Sequence, residues 1–340
     1  MTEFRDETIQ LAHGSGGQAT RRLVEGLFAP LLANPALDAM GDAALLDVDA
    51  GRLAMTTDCF VVNPTTFPGG CIGSLAVHGT VNDLAVSGAD PIALTAGFVL
   101  ESGLASAELR TQIKAMAAAA RSVGVPVVAG DTKVVEHGRA DGLYICTTGV
   151  GRLHPGANLD PSRAEPGDRV LVSGPIGDHG ITILIARADL DLETDLTSDS
   201  RSVLPMTRAL LDAVGGGVKW MRDATRGGVA TVLNELAQAA GVCVAIDEPD
   251  LPVRDEVRGA CELLGLDPLH VANEGQFVAV VSADYAERAL EVIQSVPGGE
   301  EARLIGEIGE SPVRTVLGRS GYGSVRVIDV LVGDPLPRIC

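Results

Sequence analysis

Nothing regular can run through residues 154–168, His-Pro-Gly-Ala-Asn-Leu-Asp-Pro-Ser-Arg-Ala-Glu-Pro-Gly-Asp. Proline and glycine at this density break both helix and sheet. The run divides 340 residues into two stretches, each long enough to bury its own core. On either side, short apolar segments alternate with helical periodicity, so both halves read as α/β. In the first half, 52–62, 91–99, 126–129 and 143–150 read as strands, and 74–89 as a buried helix. Residues 106–123 form a second helix, with Leu109, Ile113, Met116 and Ala120 on one face. In the second half, 169–173, 242–246, 277–281 and 324–330 read as strands, and 229–240, 257–264 and 285–296 as helices. Residues 189–202 are acidic and read as surface. The expected organisation is a domain over 1–154, a second over 155–330, and a tail over 331–340.

Aromatic residues make up only 3% of the chain, so the cores must be built from Ala, Val, Leu and Ile. The net charge of −19 argues against nucleic acid or an anionic membrane as partner, and is compatible with a bound divalent cation. Cysteines 59, 71, 146, 243, 261 and 340 contain no C-x-x-C pair, which fits reduced thiols in the cytoplasm. The charged N-terminal residues do not read as a signal peptide, and no apolar run has the length of a membrane span. The histidines lack zinc-ligand spacing.

One pattern recurs: an Asp beside small residues where an apolar run ends. It occurs at Asp42, Asp58, Asp83, Asp131, Asp178 and Asp223. Singly, each reads as a turn or a helix cap. Together they could form the oxygen-only site that Mg²⁺ needs when it rides on phosphates. With the glycine-rich loops and Lys133, ATP is the natural ligand. Gly14-Ser-Gly16-Gly17-Gln-Ala19 matches a dinucleotide fingerprint formally, but no βαβ unit follows it. Glu274, between Asn273 and Gly275, reads as a turn residue or as an isolated carboxylate with work to do.

The tail Asp334-Pro335-Leu336-Pro337-Arg338-Ile339-Cys340 is stiffened by its prolines. Ten extended residues reach about 33 Å, far enough to enter a neighbouring cleft. The terminal carboxylate disfavours the Cys340 thiolate, and Arg338 is expected to favour it. Such a thiol suits an attachment point for a group that a partner delivers. A frayed terminus with an incidental cysteine is the alternative.

Seven segments, His13-Gly-Ser-Gly-Gly, Asn82-Asp-Leu-Ala-Val-Ser-Gly-Ala, Gly130-Asp-Thr-Lys-Val-Val, Gly174-Pro-Ile-Gly-Asp-His-Gly, Arg222-Asp-Ala-Thr-Arg-Gly-Gly, Ala272-Asn-Glu-Gly and Pro337-Arg-Ile-Cys, resemble the HypE hydrogenase-maturation family in order, from about residue 9 to residue 340. The resemblance implies a two-domain PurM-like α/β architecture. Its N-terminal domains pair into a dimeric β-barrel, and a flexible C-terminal tail follows the C-terminal α/β domain. It implies a cytoplasmic, ATP-dependent carbamoyl dehydratase that converts an S-carbamoyl group on Cys340 to thiocyanate. The carbamoyltransferase HypF would supply that group, and the HypC–HypD iron scaffold would receive the cyanide. By resemblance Cys340, Lys133 and Glu274 are catalytic, with Glu274 as the base. Gly14, Ser15, Gly16, Gly17, Asp58, Asn82, Asp83, Asp131 and Asp223 would hold ATP, and Asp42, Asp58, Asp83 and Asp131 would hold Mg²⁺. Two rivals remain at this level: another ATP-using member of the superfamily, such as a small-molecule kinase, and a non-catalytic carrier of a carbamoylated thiol.

Overall fold

A computed structural model describes residues 4–10, 13, 18–34, 51–187, 194–331 and 338–340. The expected glycine loop (Gly14, Ser15, Gly16, Gly17) and Asp42 lie outside the described residues.

The first half opens with helical segments α1 (Gln18–Leu23) and α2 (Ala29–Leu32), followed by β1 (Leu53–Phe60), the short β2 (Thr66–Phe67) and β3 (Gly70–Cys71). Then come α3 (Ile72–Val86), β4 (Ala89–Glu101), α4 (Ser106–Val123), β5 (Val127–Val135) and β6 (Leu143–Leu153). Four strands form one sheet in the order β1-β6-β4-β5. Helix α3 is apolar nearly all round, as a helix enclosed on every side must be; twelve of its fifteen residues are buried. It lies between this sheet and α4, and Gly73 is what lets the two helices close up. A Cβ there would sit 2.0 Å from the Gln112 carbonyl oxygen.

Among the described residues, no helix covers the outward side chains of β1 on the sheet's opposite face. Burial alternates along β1, leaving Leu53, Met55, Thr57 and Cys59 outward, with Met55 76% exposed. Directly across from Met55, Thr57 and Cys59 stand Val150, Thr148 and Cys146 of β6.

The second half contains β7 (Arg169–Val172), α5 (Asp178–Ala186), α6 (Leu204–Val214), β8 (Val218–Asp223), α7 (Gly228–Ala240), β9 (Cys243–Asp247) and α8 (Asp255–Leu264). It ends with β10 (Phe277–Val281), α9 (Ala286–Gln294), β11 (Arg303–Gly309), β12 (Thr315–Arg319) and β13 (Val325–Ile328). Seven strands run in the order β13-β12-β9-β11-β7-β10-β8. One apolar core is shared by both halves, and a second lies on the α7 side of the larger sheet.

The helix at 106–123 and the strand at 277–281 fall where periodicity places them. Three expectations need correction. Strand β5 does not stop at residue 129 but runs through Gly130–Lys133, because Gly130 lets it lie against β4; a Cβ there would be 2.5 Å from the Ala96 oxygen. Elements α6, β8, β11 and β12 had no clear sequence signal, since glycines or charges interrupt their apolar patterns. The acidic stretch near 189–202 is not simply surface: Leu196 and Ser198 are buried, because this segment passes between the two halves.

Candidate active site

The site forms where α3 of the first half meets β8 and the loop before β10 of the second. Asp58 comes from the inward face of β1 and Asp83 from α3, where the Thr56 hydroxyl donates to Asp83 Oδ2 at 2.6 Å. Burial first, and then Asp83, raise Asp58 to about 6. Asp223, at the end of β8 and only 9% exposed, is raised to about 7 by burial, then by Asp83. Burial and mutual repulsion therefore act together on these carboxyls, and either a proton or a cation relieves them.

Glu274 is 3% exposed, and its Oε1 has no hydrogen-bond partner among the described residues. Burial chiefly, then Asp199, Asp223 and Asp58, hold its carboxyl well above the usual range. Its backbone is fixed from both sides. The Glu274 and Gly275 N–H groups donate to the two oxygens of Asp199, each at 3.0 Å. The Glu274 carbonyl accepts from Asn82 Nδ2 at 3.1 Å. Gly275 is required there, since a Cβ would lie 1.9 Å from the Asp199 carbonyl oxygen. Asn273 completes the turn, accepting from Gly177 N–H at 2.7 Å and donating to the Ala224 carbonyl at 2.7 Å.

The tail enters this site. The Arg338 carbonyl accepts from Asn63 N–H at 3.2 Å and the Cys340 carbonyl from Val61 N–H at 3.0 Å, extending the line of β1. Ile339 is 2% exposed. Arg226 Nη2 donates to Cys340 Sγ at 3.4 Å. Burial first, then the nearby Glu274, push the thiol up to about 11, and Arg226 opposes them. The expectation that Arg338 supports the thiolate does not hold. Its guanidinium is engaged by Asp141 at 2.6 Å, and Arg226 is the cation at the sulfur.

Cys340, Glu274, Asp58, Asp83 and Asp223 are thus brought together. Asn82 is present, but its amide is spent on backbone: it donates to the Arg201 and Glu274 carbonyls and accepts from Val203 N–H at 2.8 Å. It holds the site's shape rather than facing a ligand. Lys133 and Asp131 stand apart, exposed and 3.8 Å from each other on β5. That strand is the far edge of the sheet from β1, about 14 Å away at three strand spacings. Sequence reasoning missed Arg226 and Asp199. Arg226 follows Asp223 by three residues, a signal that was available; Asp199 sits in a stretch whose acidity pointed to solvent.

Residues 40–153 match the AIR synthase related protein N-terminal domain, and residues 165–318 its C-terminal domain. Carbamoyl dehydratase HypE of Azotobacter vinelandii is 50% identical over 338 residues, 99% of this chain and 99% of that protein. The chain belongs to the carbamoyl dehydratase HypE family. It is therefore an enzyme, a dehydratase of hydrogenase maturation on a two-domain PurM-like α/β fold. A crystal structure of the hydrogenase maturation protein HypE in complex with ATP is 43% identical, with a TM-score of 0.94 over 98% of this chain and 100% of that one. A crystal structure of a HypE–HypF complex is 46% identical, with a TM-score of 0.80 over 91% of this chain and 99% of that one. Among the described residues, no helix is long and apolar enough to cross a membrane.

Proposed function

We propose that this enzyme uses ATP to dehydrate a carbamoyl group on Cys340 to thiocyanate, the source of the cyanide ligands on the iron of [NiFe]-hydrogenase. The observation that carries this reading is a cysteine sulfur held by Arg226 beside a buried glutamate whose Oε1 is unpartnered. The overall change is S–C(=O)–NH₂ plus ATP to S–C≡N plus ADP and phosphate. Amide oxygen leaves poorly, so it first takes the γ-phosphoryl group as the bond to ADP breaks, and the nitrogen releases one of its two protons to give S–C(O–PO₃)=NH. The nitrogen then gives up its remaining proton, the C≡N bond forms, and the oxygen departs with phosphate. Glu274 would take that proton, and Arg226 would stabilise charge near the sulfur.

Asp58, Asp83 and Asp223 offer the hard oxygen donors that Mg²⁺ prefers, and the raised proton affinity of Asp58 and Asp223 supports a site that welcomes positive charge. Among the described residues, no three His, Cys, Asp or Glu side chains enclose an ion by themselves. Bound there, Mg²⁺ would neutralise charge on the transferring phosphoryl group. Asp83→Ala should weaken Mg²⁺-dependent ATP binding more than tenfold while the fold survives. Calorimetry showing unchanged affinity would remove Asp83 from the site.

Lys133 and Asp131 come into play if the outward sheet face pairs with a second copy, closing a barrel between two subunits. The outward Met55, Val150 and Thr148 supply a face suited to such pairing. Met55→Glu should convert a dimer to a monomer in sedimentation; an unchanged mass would sink this arrangement. The cytoplasmic carbamoyltransferase HypF would load Cys340, and the HypC–HypD scaffold would take the cyano group. The direct test is mass analysis of the C-terminal peptide after incubation with carbamoyltransferase, carbamoyl phosphate and ATP. The cyano form should appear only with ATP. Carbamoylated Cys340 that persists with ATP and Mg²⁺ present would instead mark a carrier.

A further inference from the structure

His179, the second residue of α5, is fully buried, and its ring meets Phe67 edge-on at 5.6 Å and 85°. Its Nδ1 lies 2.8 Å from Ser198 Oγ, and its Nε2 lies 2.5 Å from the carbonyl oxygen of Ile339, 160 residues away in sequence. Ser198 Oγ already accepts the Ser200 N–H at 3.0 Å, so its own proton is free to go to Nδ1. The imidazole proton therefore sits on Nε2 and points at the tail. Burial pushes the ring down to about 4, so it stays neutral and keeps this tautomer at ordinary pH.

The other tail carbonyls are held largely by main chain, Arg338 by Asn63 N–H and Cys340 by Val61 N–H, with Arg187 also donating to Arg338. These anchors read the backbone and not the sulfur, so they serve the free and the modified cysteine alike. Undocking would break the His179–Ile339 hydrogen bond and expose Ile339, which is 2% exposed when docked. Both costs favour the docked state.

We propose that His179 is the latch of the tail: its Nε2–H holds the Ile339 carbonyl and so fixes Cys340 beside Glu274, as a positioning residue that touches no reacting atom. The mechanistic consequence rests on the reading of Cys340 as the modified residue; the latch itself does not.

The test is the alkylation rate of Cys340 by iodoacetamide in the full chain, read on the C-terminal peptide. Docking covers the thiol and raises it to about 11, so the wild type should react slowly. His179→Ala should react about tenfold faster or more, because the docked Ile339 carbonyl loses its partner. His179→Gln, whose amide N–H can reach the same carbonyl, should return towards the wild-type rate. Should His179→Ala lose its fold by circular dichroism, Ser198→Ala decides, since it frees the tautomer and should also speed labelling. An unchanged rate in the folded variant, or Gln behaving as Ala, overturns the latch. With carbamoyltransferase and ATP, His179→Ala should accept carbamoyl at least as fast as wild type but dehydrate it more slowly, and Gln should rescue it. If no protein, wild type included, forms thiocyanate, the functional reading fails while the alkylation result still stands on its own.

Discussion

Glu274→Gln should accumulate carbamoylated Cys340 and make thiocyanate about 10²–10⁴ times more slowly, the usual worth of a general base. The substitution keeps the side chain's shape and removes only its basicity. Both anchors of the residue are to its backbone, the Asp199 carboxylate to two N–H groups and Asn82 to the carbonyl, so the turn should not move. The same burial that raises the Glu274 carboxyl makes it a stronger base once ionised. It also means the dehydration rate should rise with pH through a range above that of an ordinary glutamate, because only the ionised form accepts a proton. Loading of Cys340, which the proposed reading assigns to the carbamoyltransferase's own active site, should be unaffected. The measurement is the ratio of carbamoylated to cyanated C-terminal peptide over time. A normal cyano yield at a normal rate would take Glu274 out of the chemistry.

The ligand-free enzyme should become more stable as pH falls from about 8 to 6. Asp58 is raised from 3.8 to about 6 and Asp223 from 3.8 to about 7, so the folded chain binds protons that the unfolded chain releases. The stabilisation is fully present below about 4 and is lost as pH rises through 6 and 7. For Asp223 alone, a move from 3.8 to about 7 is worth about 4 kcal/mol as an upper figure. The two carboxyls repel each other, so their effects do not simply add. Burial lowers His78 and His179 from 6.5 to about 4, so they oppose this gain as pH falls through 6.5, and the lowered carboxylates Glu101 and Asp160 oppose it below the window. Asp223→Asn should flatten the rise in Tm, and Mg²⁺ with ATP at pH 8 should restore much of what acid supplies. A Tm that declines steadily from pH 8 to 6 would show that these carboxyls carry no such load.

Periodicity and turn chemistry are local, and they were enough to read a two-domain α/β chain, the 106–123 helix and the 277–281 strand. The repeated Asp beside small residues was likewise legible, because a carboxylate ending an apolar run is a local anomaly. Local reading failed at Asp199. In sequence it belongs to an acidic stretch suited to water, yet two backbone N–H groups from a turn 75 residues away hold its carboxylate. Arg338 and Arg226 show the same limit. Proximity in sequence assigned the thiol to Arg338, whereas the fold gives Arg338 to Asp141 and brings Arg226 to the sulfur.

By itself the sequence determined which residue types the chemistry could draw on: a cysteine behind a stiff spacer, a set of Asp residues at the ends of apolar runs, and a glutamate beside a glycine. Only the tertiary structure decided which of them meet. It gathers Asp58, Asp83, Asp223, Glu274 and Cys340, leaves Lys133 and Asp131 on the far edge strand, and turns Asn82 from a ligand candidate into a clamp. The reason is that hydrogen bonds and burial are satisfied across the two halves rather than along the chain, and no sequence interval records which backbone groups a buried side chain must answer.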